Sequence, residues 1–175
     1  MPHADGTLTV EEYLARKKRA TLGKAAEQSV KSCLEKKVAE LGAAFDWERN
    51  PDTRSAGAKG QVLQVRTGDF YAYYRGGTVS IEVKETEKLV LMKSAFKPGQ
   101  IGRGVKRAMA GVICPVLIHF KTPGVWMAVP IDYFFNNPMP RGGWDLLNHP
   151  SMPKFKSCAQ ALDWSMSRLL NSPQQ

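Results

Sequence analysis

From Leu22 to Leu41 apolar residues recur at three- and four-residue steps, through Ala26, Val30, Leu34 and Val38, and Gly42 follows them. That period predicts an amphipathic helix stopped by the glycine. The period then changes to two: Phe45 and Trp47 alternate with Asp46 and Glu48, which predicts a short strand. Pro51 to Gly60 reads as a loop rich in Gly, Ser and charge, with Arg49 just before it and Arg54 and Lys59 within it. Gln61 to Arg66 alternates weakly, as a strand extension or part of a protruding hairpin. Gly68 to Tyr74 and Thr78 to Lys84, rich in Tyr, Val and Ile, flank Gly76-Gly77, a favoured two-residue hairpin turn.

Beyond Pro98-Gly99 a second helix is predicted to run to about Ala110. Val112 to Phe120 reads as a buried strand, Val125 to Val129 as another and Ile131 to Phe135 as a short helical turn. Ser157 to Leu170 reads as a closing amphipathic helix using Leu162, Met166, Leu169 and Leu170. This order is that of an α/β fold with a mixed central sheet flanked by helices. Residues 1–20, polar and basic, read as a mobile arm, and 21–175 as a single domain, since 175 residues are enough for one core.

Charge narrows the class. There are 25 Lys and Arg against 16 Asp and Glu, and the excess is clustered. Arg16 to Lys37 holds eight basic residues against two acidic, and Lys84 to Arg107 holds seven basic residues. Nucleic acid is the partner this implies, because cations placed on phosphates release condensed counterions; a solvated face kept basic for solubility is the plain alternative. The three cysteines, Cys33, Cys114 and Cys158, are odd in number and far apart. They suggest neither a disulfide framework nor a zinc site, and fit a reducing cytoplasm. The longest apolar run, Val112 to Phe120, is too short to span a membrane and contains His119.

The chemistry concentrates in the hairpin. Alternation puts Val79, Ile81 and Val83 on one face and Ser80, Glu82 and Lys84 on the other. With Gly76-Gly77 as the turn, Arg75 faces Thr78, Asp69 falls opposite Lys84 and Tyr71 opposite Glu82, all four of the latter on one face. Two carboxylates about 4 Å apart repel by roughly 4 kcal/mol at an effective dielectric of about 20. A divalent cation between Asp69 and Glu82 removes that cost, and hard oxygen ligands favour Mg²⁺, with Mn²⁺ as substitute. Such an ion polarises a phosphodiester and activates water, while a neighbouring lysine orients the nucleophile and offsets developing charge. An ordinary cross-strand ion pair of Asp69 with Lys84, with Glu82 a solvated neighbour, fits the same spacing.

Glu27 stands seven residues before Leu34 and fourteen before Leu41, on the inward face of the first helix. An acid there needs a partner; a metal or Lys84 would supply one, as would water at the rim of the apolar stripe. Gln100 reads either as a contact to phosphate or to water at the metal, or as a helix cap. Gly99, Gly102 and Gly104 are not followed by Gly-Lys-Ser/Thr, so they suit close approach to a nucleic-acid strand better than a nucleotide-binding loop. His3, His119 and His149 have no metal or triad spacing and are assigned to packing or surface. Tyr71, Tyr73 and Tyr74 complete a sheet face or stack on bases.

Gly68-Asp69-Phe70, then Ser80-Ile81-Glu82-Val83-Lys84-Glu85-Thr86, then Ser94-Ala95-Phe96-Lys97 leading to Gln100, resembles the core of the RecU-type Holliday junction resolvases over roughly Glu27 to Lys121. The resemblance implies the PD-(D/E)XK nuclease fold. It also implies a Mg²⁺ site from Asp69, Glu82 and the Val83 carbonyl, Lys84 in catalysis, and Glu27 and Gln100 as supporting groups. A homodimer is implied too, since two symmetric cuts in a four-way junction suit two-fold symmetry. The chain departs from the family in its short segment between early strands, about Ser55 to Val65 with Lys59 its one basic residue, and in having Gly68 where a proline usually precedes the Asp. The expectation is therefore a metal-dependent endonuclease that resolves four-way junctions in branched double-stranded DNA during recombination and repair. Arg54, Lys59, Arg66, Lys97, Arg103, Lys106 and Arg107 are the candidate nucleic-acid contacts. A related nuclease without junction selectivity, or a basic DNA-binding protein without catalysis, are the alternatives.

Overall fold

The computed structural model describes residues 24–50, 68–139 and 143–171. The helix-period segment forms α1, Lys24–Leu41, closed by a 3₁₀ turn at Gly42–Ala44. Then follow β1 (Phe45–Arg49), β2 (Phe70–Tyr74), β3 (Gly77–Thr86), α2 (Gln100–Met109), β4 (Pro115–Phe120), β5 (Val125–Pro130), α3 (Ile131–Asn136), β6 (Lys154–Phe155) and α4 (Cys158–Asn171). The arm expected at residues 1–20 lies outside the described residues, as do Arg54, Lys59, Arg66 and the segment from Gln61 to Arg66.

The strands form one six-stranded sheet in chain order, β1 to β6. Every neighbouring pair is antiparallel except β3 and β4, which are parallel and joined through α2. The mixed sheet with flanking helices is the α/β arrangement expected. Helices cover both faces. On one, Ala26, Val30 and Leu34 of α1 and Ala161, Leu162 and Met166 of α4 pack on Val79, Ile81, Val83 and Leu117. On the other, α3 and the partly buried Ile101, Val105 and Ala108 of α2 pack on Val116, Ile118 and Val129. Burial of β4 on both faces explains why it is nearly continuously apolar. That strand begins at Pro115 rather than Val112; before it, Ile113 makes only an isolated parallel bridge to Val79. Among the described residues no helix is long and apolar enough to cross a membrane.

The hairpin turn falls one residue earlier than the sequence suggests. Tyr74 pairs with Gly77, so the turn is Arg75-Gly76, with φ of 48° and 78°. Two positive φ values mark a type I′ turn, whose twist matches the strands it joins. Tyr71 is therefore opposite Ser80 rather than Glu82, and continuing the register past β2 sets Asp69 level with Glu82 rather than Lys84. Because the slip moves each pair by two positions, no side chain changes face. Arg75 is strained in this turn, but its guanidinium lies 5.2 Å from the centre of the Tyr74 ring, which offsets part of that cost.

Replacing Arg75 by Asn relieves the left-handed backbone while losing the stacking. Arg75→Asn is expected to raise stability by about 0.5 kcal/mol, seen as a higher urea midpoint at an unchanged slope. A lower midpoint would show that the stacking on Tyr74 outweighs the strain.

Candidate active site

Strand β3 outruns its neighbour. Beyond Phe70 there is no β2 residue to pair with the second half of β3, and the chain just before β2 supplies side-chain chemistry in its place. The Asp69 backbone N–H donates to the Ile81 carbonyl at 2.7 Å, and the Asp69 carboxylate accepts the Val83 N–H at 2.7 Å. Val83 thus directs its N–H toward the end of β2, and in an antiparallel pair the carbonyl of the same residue points the same way. Asn50 clamps this corner: its side-chain amide donates to the Gly68 carbonyl at 2.9 Å and its backbone N–H to the Asp69 carbonyl at 2.9 Å. At Gly68, φ is +90° and a Cβ would lie 2.6 Å from Ser80 Oγ, so the residue preceding Asp69 must be glycine here.

Glu82 and Lys84 project from β3 on the α2 face, as alternation requires. Lys84 Nζ pairs with Glu82 Oε1 at 2.6 Å and donates to Gln100 Oε1 at 3.3 Å, with the Phe96 ring centre 5.0 Å away. The ordinary Asp69–Lys84 pair considered from the spacing does not form; Lys84 takes Glu82 instead, a neighbour on its own strand. Nor is Glu82 a solvated bystander, for it is 6% exposed and its Oε2 is buried without a hydrogen-bond partner. A buried unpaired carboxylate oxygen is costly unless something else satisfies it. Burial first, then the charge of Glu82, pushes the Asp69 carboxyl up to about 6, against the pull of the Val83 N–H and of Lys84 and Lys97.

Glu27 enters from the other face. Alternation in β1 sets Arg49 on the same side as Phe45 and Trp47, toward α1, and its guanidinium meets Glu27 Oε2 at 2.6 Å. The direct partner of Glu27 is therefore Arg49 rather than a lysine, and the side chain, 28% exposed, also reaches water at the rim of the apolar stripe. Burial and then the charge of Asp69 raise its carboxyl above the usual value, while Arg49 and Lys84 act against this, so Glu27 belongs to the same electrostatic cluster. The signal for Arg49 was present in the two-residue period of β1. Gln100 does not cap α2, whose N-cap is Gly99 with no side-chain cap hydrogen bond; its Oε1 accepts the Lys97 backbone N–H at 2.9 Å in the turn before the helix and also receives Lys84.

The basic candidates divide. Lys97 and Lys106 are exposed, at the start and on the outer side of α2. Arg103 folds back to the Pro98 carbonyl at 3.4 Å with its Nε buried, and Arg107 lies over Tyr71 at 5.2 Å. Tyr71 is buried under that guanidinium and completes the sheet, whereas Tyr73 is 38% exposed and donates its hydroxyl to Glu48 at 2.9 Å. His119 stacks on Trp126 at 4.7 Å and His149 meets Tyr133 edge-on at 5.6 Å, as packing residues do. Among the described residues no cluster of three or more His, Cys, Asp or Glu side chains is arranged to hold a metal.

No family model matches the chain, and no curated protein matches it. Among solved structures the chain is similar to Hjc, a Holliday junction resolvase from the archaeal hyperthermophile Archaeoglobus fulgidus. The TM-score is 0.41 at 17% identity, over 76% of this chain and 87% of that one.

The raised Asp69 carboxyl makes a stability prediction for the metal-free protein. Between the usual value of 3.8 and the folded value of about 6 the folded state holds the proton and the unfolded chain does not. The associated stability is complete below the lower value and lost as pH rises through the upper one. Asp69→Asn keeps an acceptor for Val83 and removes the charge, so at pH 7 without divalent ions it is expected to gain up to ~2–3 kcal/mol. Thermal melts of both proteins from pH 4 to 7 test this; an unchanged pH slope in the variant would assign the slope to other groups.

Proposed function

We propose that this protein is a divalent-metal-dependent DNA endonuclease of the PD-(D/E)XK type that acts on four-way junctions as a homodimer. The observation that carries the reading is the convergence of Asp69, Glu82 and Lys84 where β3 outruns β2, with one buried Glu82 oxygen left without a partner. The residues fit an ion: Asp69 and Glu82 would hold it with the Val83 carbonyl, and two carboxylates with positions left for water and phosphate suit Mg²⁺. When bound, the ion supplies Lewis-acid polarisation of the phosphodiester and charge neutralisation.

The protein's own groups do the remaining work. Asp69 is held by the Val83 N–H and by the Asn50 clamp on its backbone, so its carboxylate is fixed before substrate arrives. Lys84 is aimed by Glu82, Gln100 and the Phe96 ring and keeps a positive charge beside the scissile phosphate, where it orients the attacking water. Glu27, ion-paired with Arg49, supports the cluster from the α1 side, where its carboxyl and that of Asp69 act on each other. Lys97 and Lys106 contact the phosphates that flank the cut, with Arg103 and Arg107 joining once DNA draws their guanidinium groups outward. Preference for the four-way junction rests on the resemblance of the Glu82-Val83-Lys84-Glu85-Thr86 string with Phe96 and Gln100 to the RecU-type resolvases.

The test is cleavage of a labelled four-way junction beside linear duplex of the same sequence, with Mg²⁺ or with chelator. Paired symmetric nicks in the junction alone are expected, abolished by chelator. Lys84→Ala is expected to lower turnover by roughly 10²–10⁴-fold with junction binding retained. Equal cutting of both substrates would remove junction selectivity and leave a general nuclease, and binding without cutting in any divalent metal would overturn the catalytic reading. Lys106→Ala should instead weaken binding and reduce the slope of log affinity against log salt by about one.

A further inference from the structure

The sheet face that carries Glu82 and Lys84 also carries a cleft beside them. In α3 the inward residues are Ile131 and Phe134, three apart, so the helical period turns Phe135 outward, where it is 61% exposed. Phe134 packs with Phe96 and Trp144. Their ring centres lie 5.0 Å apart for Phe96 and Phe134, 5.9 Å for Phe96 and Trp144, and 5.0 Å for Phe134 and Trp144, all tilted or edge-on. These three buried rings floor an open cleft of about 930 Å³ between the turn before α2 and the end of α3, with Phe135 on its wall. The Trp144 indole N–H is already given to the Asn137 carbonyl at 2.8 Å, so the floor offers ring surface rather than a hydrogen-bonding pattern.

Charge and position decide what such a cleft would hold. Lys93 and Lys97, both exposed, stand on its wall, and no acid is among the described residues that line it. Aromatic surface between ammonium groups matches the two parts of a nucleotide, a base with a π-face and the phosphates on either side of it. The cleft is also continuous with the catalytic cluster. Phe96 of the floor has the Lys84 ammonium 5.0 Å from its ring centre, and Lys97 of the wall gives its backbone N–H to Gln100, which receives Lys84. A strand with a phosphate at Lys84 therefore runs past the mouth of the cleft.

We propose that this cleft captures an unstacked nucleobase of the DNA strand lying over the catalytic cluster, with Phe135 stacking on the base and Lys93 and Lys97 meeting the adjoining phosphates. The inference rests on the reading of that cluster as a DNA-cutting site and deepens it by naming a feature of the substrate. Extruding a base from intact duplex costs stacking and pairing, whereas a base already unpaired loses little of either. The cleft therefore favours DNA that has an unpaired base beside the cut over perfect duplex. Because stacking uses the face that every base presents, the cleft selects for an available base and not for a particular one.

The experiment measures binding of the full-length chain by fluorescence anisotropy at fixed salt, in chelator and again in Ca²⁺. Three labelled duplexes of one sequence are compared: perfectly paired, carrying one unpaired adenine, and carrying an abasic site in place of that adenine, which keeps the backbone charge and removes the base. Wild type is expected to bind the adenine-bearing DNA roughly 5–100-fold more tightly than the abasic DNA. Phe135→Ala should erase that difference while holding perfect duplex as wild type does, and Phe135→Trp should keep it. Equal affinity of wild type for the adenine and abasic DNAs would overturn the proposal, as would a Phe135→Ala variant weakened alike on all three. Sedimentation of both proteins adds a check, since a dimer lost in Phe135→Ala would give the cleft to a second copy of the chain instead. Base preference without cutting in any divalent metal would sink the nuclease reading and leave the cleft standing; junction cutting without base preference would do the reverse.

Discussion

Everything at the candidate site follows from β3 extending past the end of β2. A central strand cannot leave its backbone N–H groups unpaired in the interior, and once β2 has ended the chain must find another acceptor for Val83. The Asp69 carboxylate is that acceptor. This hydrogen bond holds an acid in the sheet at the point where β3 carries Glu82 inward, and it turns the end of a hairpin into a cluster of oxygen atoms. Gly68 with its positive φ and Asn50 with its two hydrogen bonds keep the corner tight enough for this to happen.

The arrangement is electrostatically expensive as it stands. Glu82 is buried with Asp69 half-buried beside it, and Lys84 satisfies only one of the Glu82 oxygens. Protonation of Asp69 is one way to relieve the repulsion, and a divalent cation is the other; the two compete, since both neutralise the same negative charge. Stability and function therefore pull in opposite directions at this site, as they do wherever charge is buried ahead of a ligand. The lysine shows the same economy. Its ammonium is held by a carboxylate, an amide oxygen and an aromatic ring that come from β3, α2 and the turn before α2.

The two faces of the sheet have separate chemistry. The α2 face holds Ser80, Glu82, Lys84 and Gln100, beside exposed Lys97 and Lys106. The α1 and α4 face holds the aliphatic core, with Cys33 and Cys158 packed against it, and the Glu27–Arg49 ion pair. Glu27 links the two electrostatically, since the charge of Asp69 helps to raise its carboxyl.

The side-chain faces were legible from the residues alone. A two-residue period specifies which residues share a face, so Glu82 and Lys84 came together and Val79, Ile81 and Val83 went to the core, whatever the turn did. The helical period of α1 likewise placed Ala26, Val30 and Leu34 inward and Glu27 near them. Register, turn and partner choice were decided by the folded chain. Gly76-Gly77 and Arg75-Gly76 are both competent turns locally, and the pairing of Tyr74 with Gly77 and of Phe70 with Ile81 selects between them. Lys84 pairs with Glu82, two residues away on its own strand, while the Asp69 carboxylate accepts the Val83 N–H. Cys33 and Cys158, far apart along the chain, pack against one core because α1 and α4 cover the same face. Periodicity is a local property and survives in the sequence, whereas pairing joins distant segments and is settled by the contacts that become available only when the whole sheet closes.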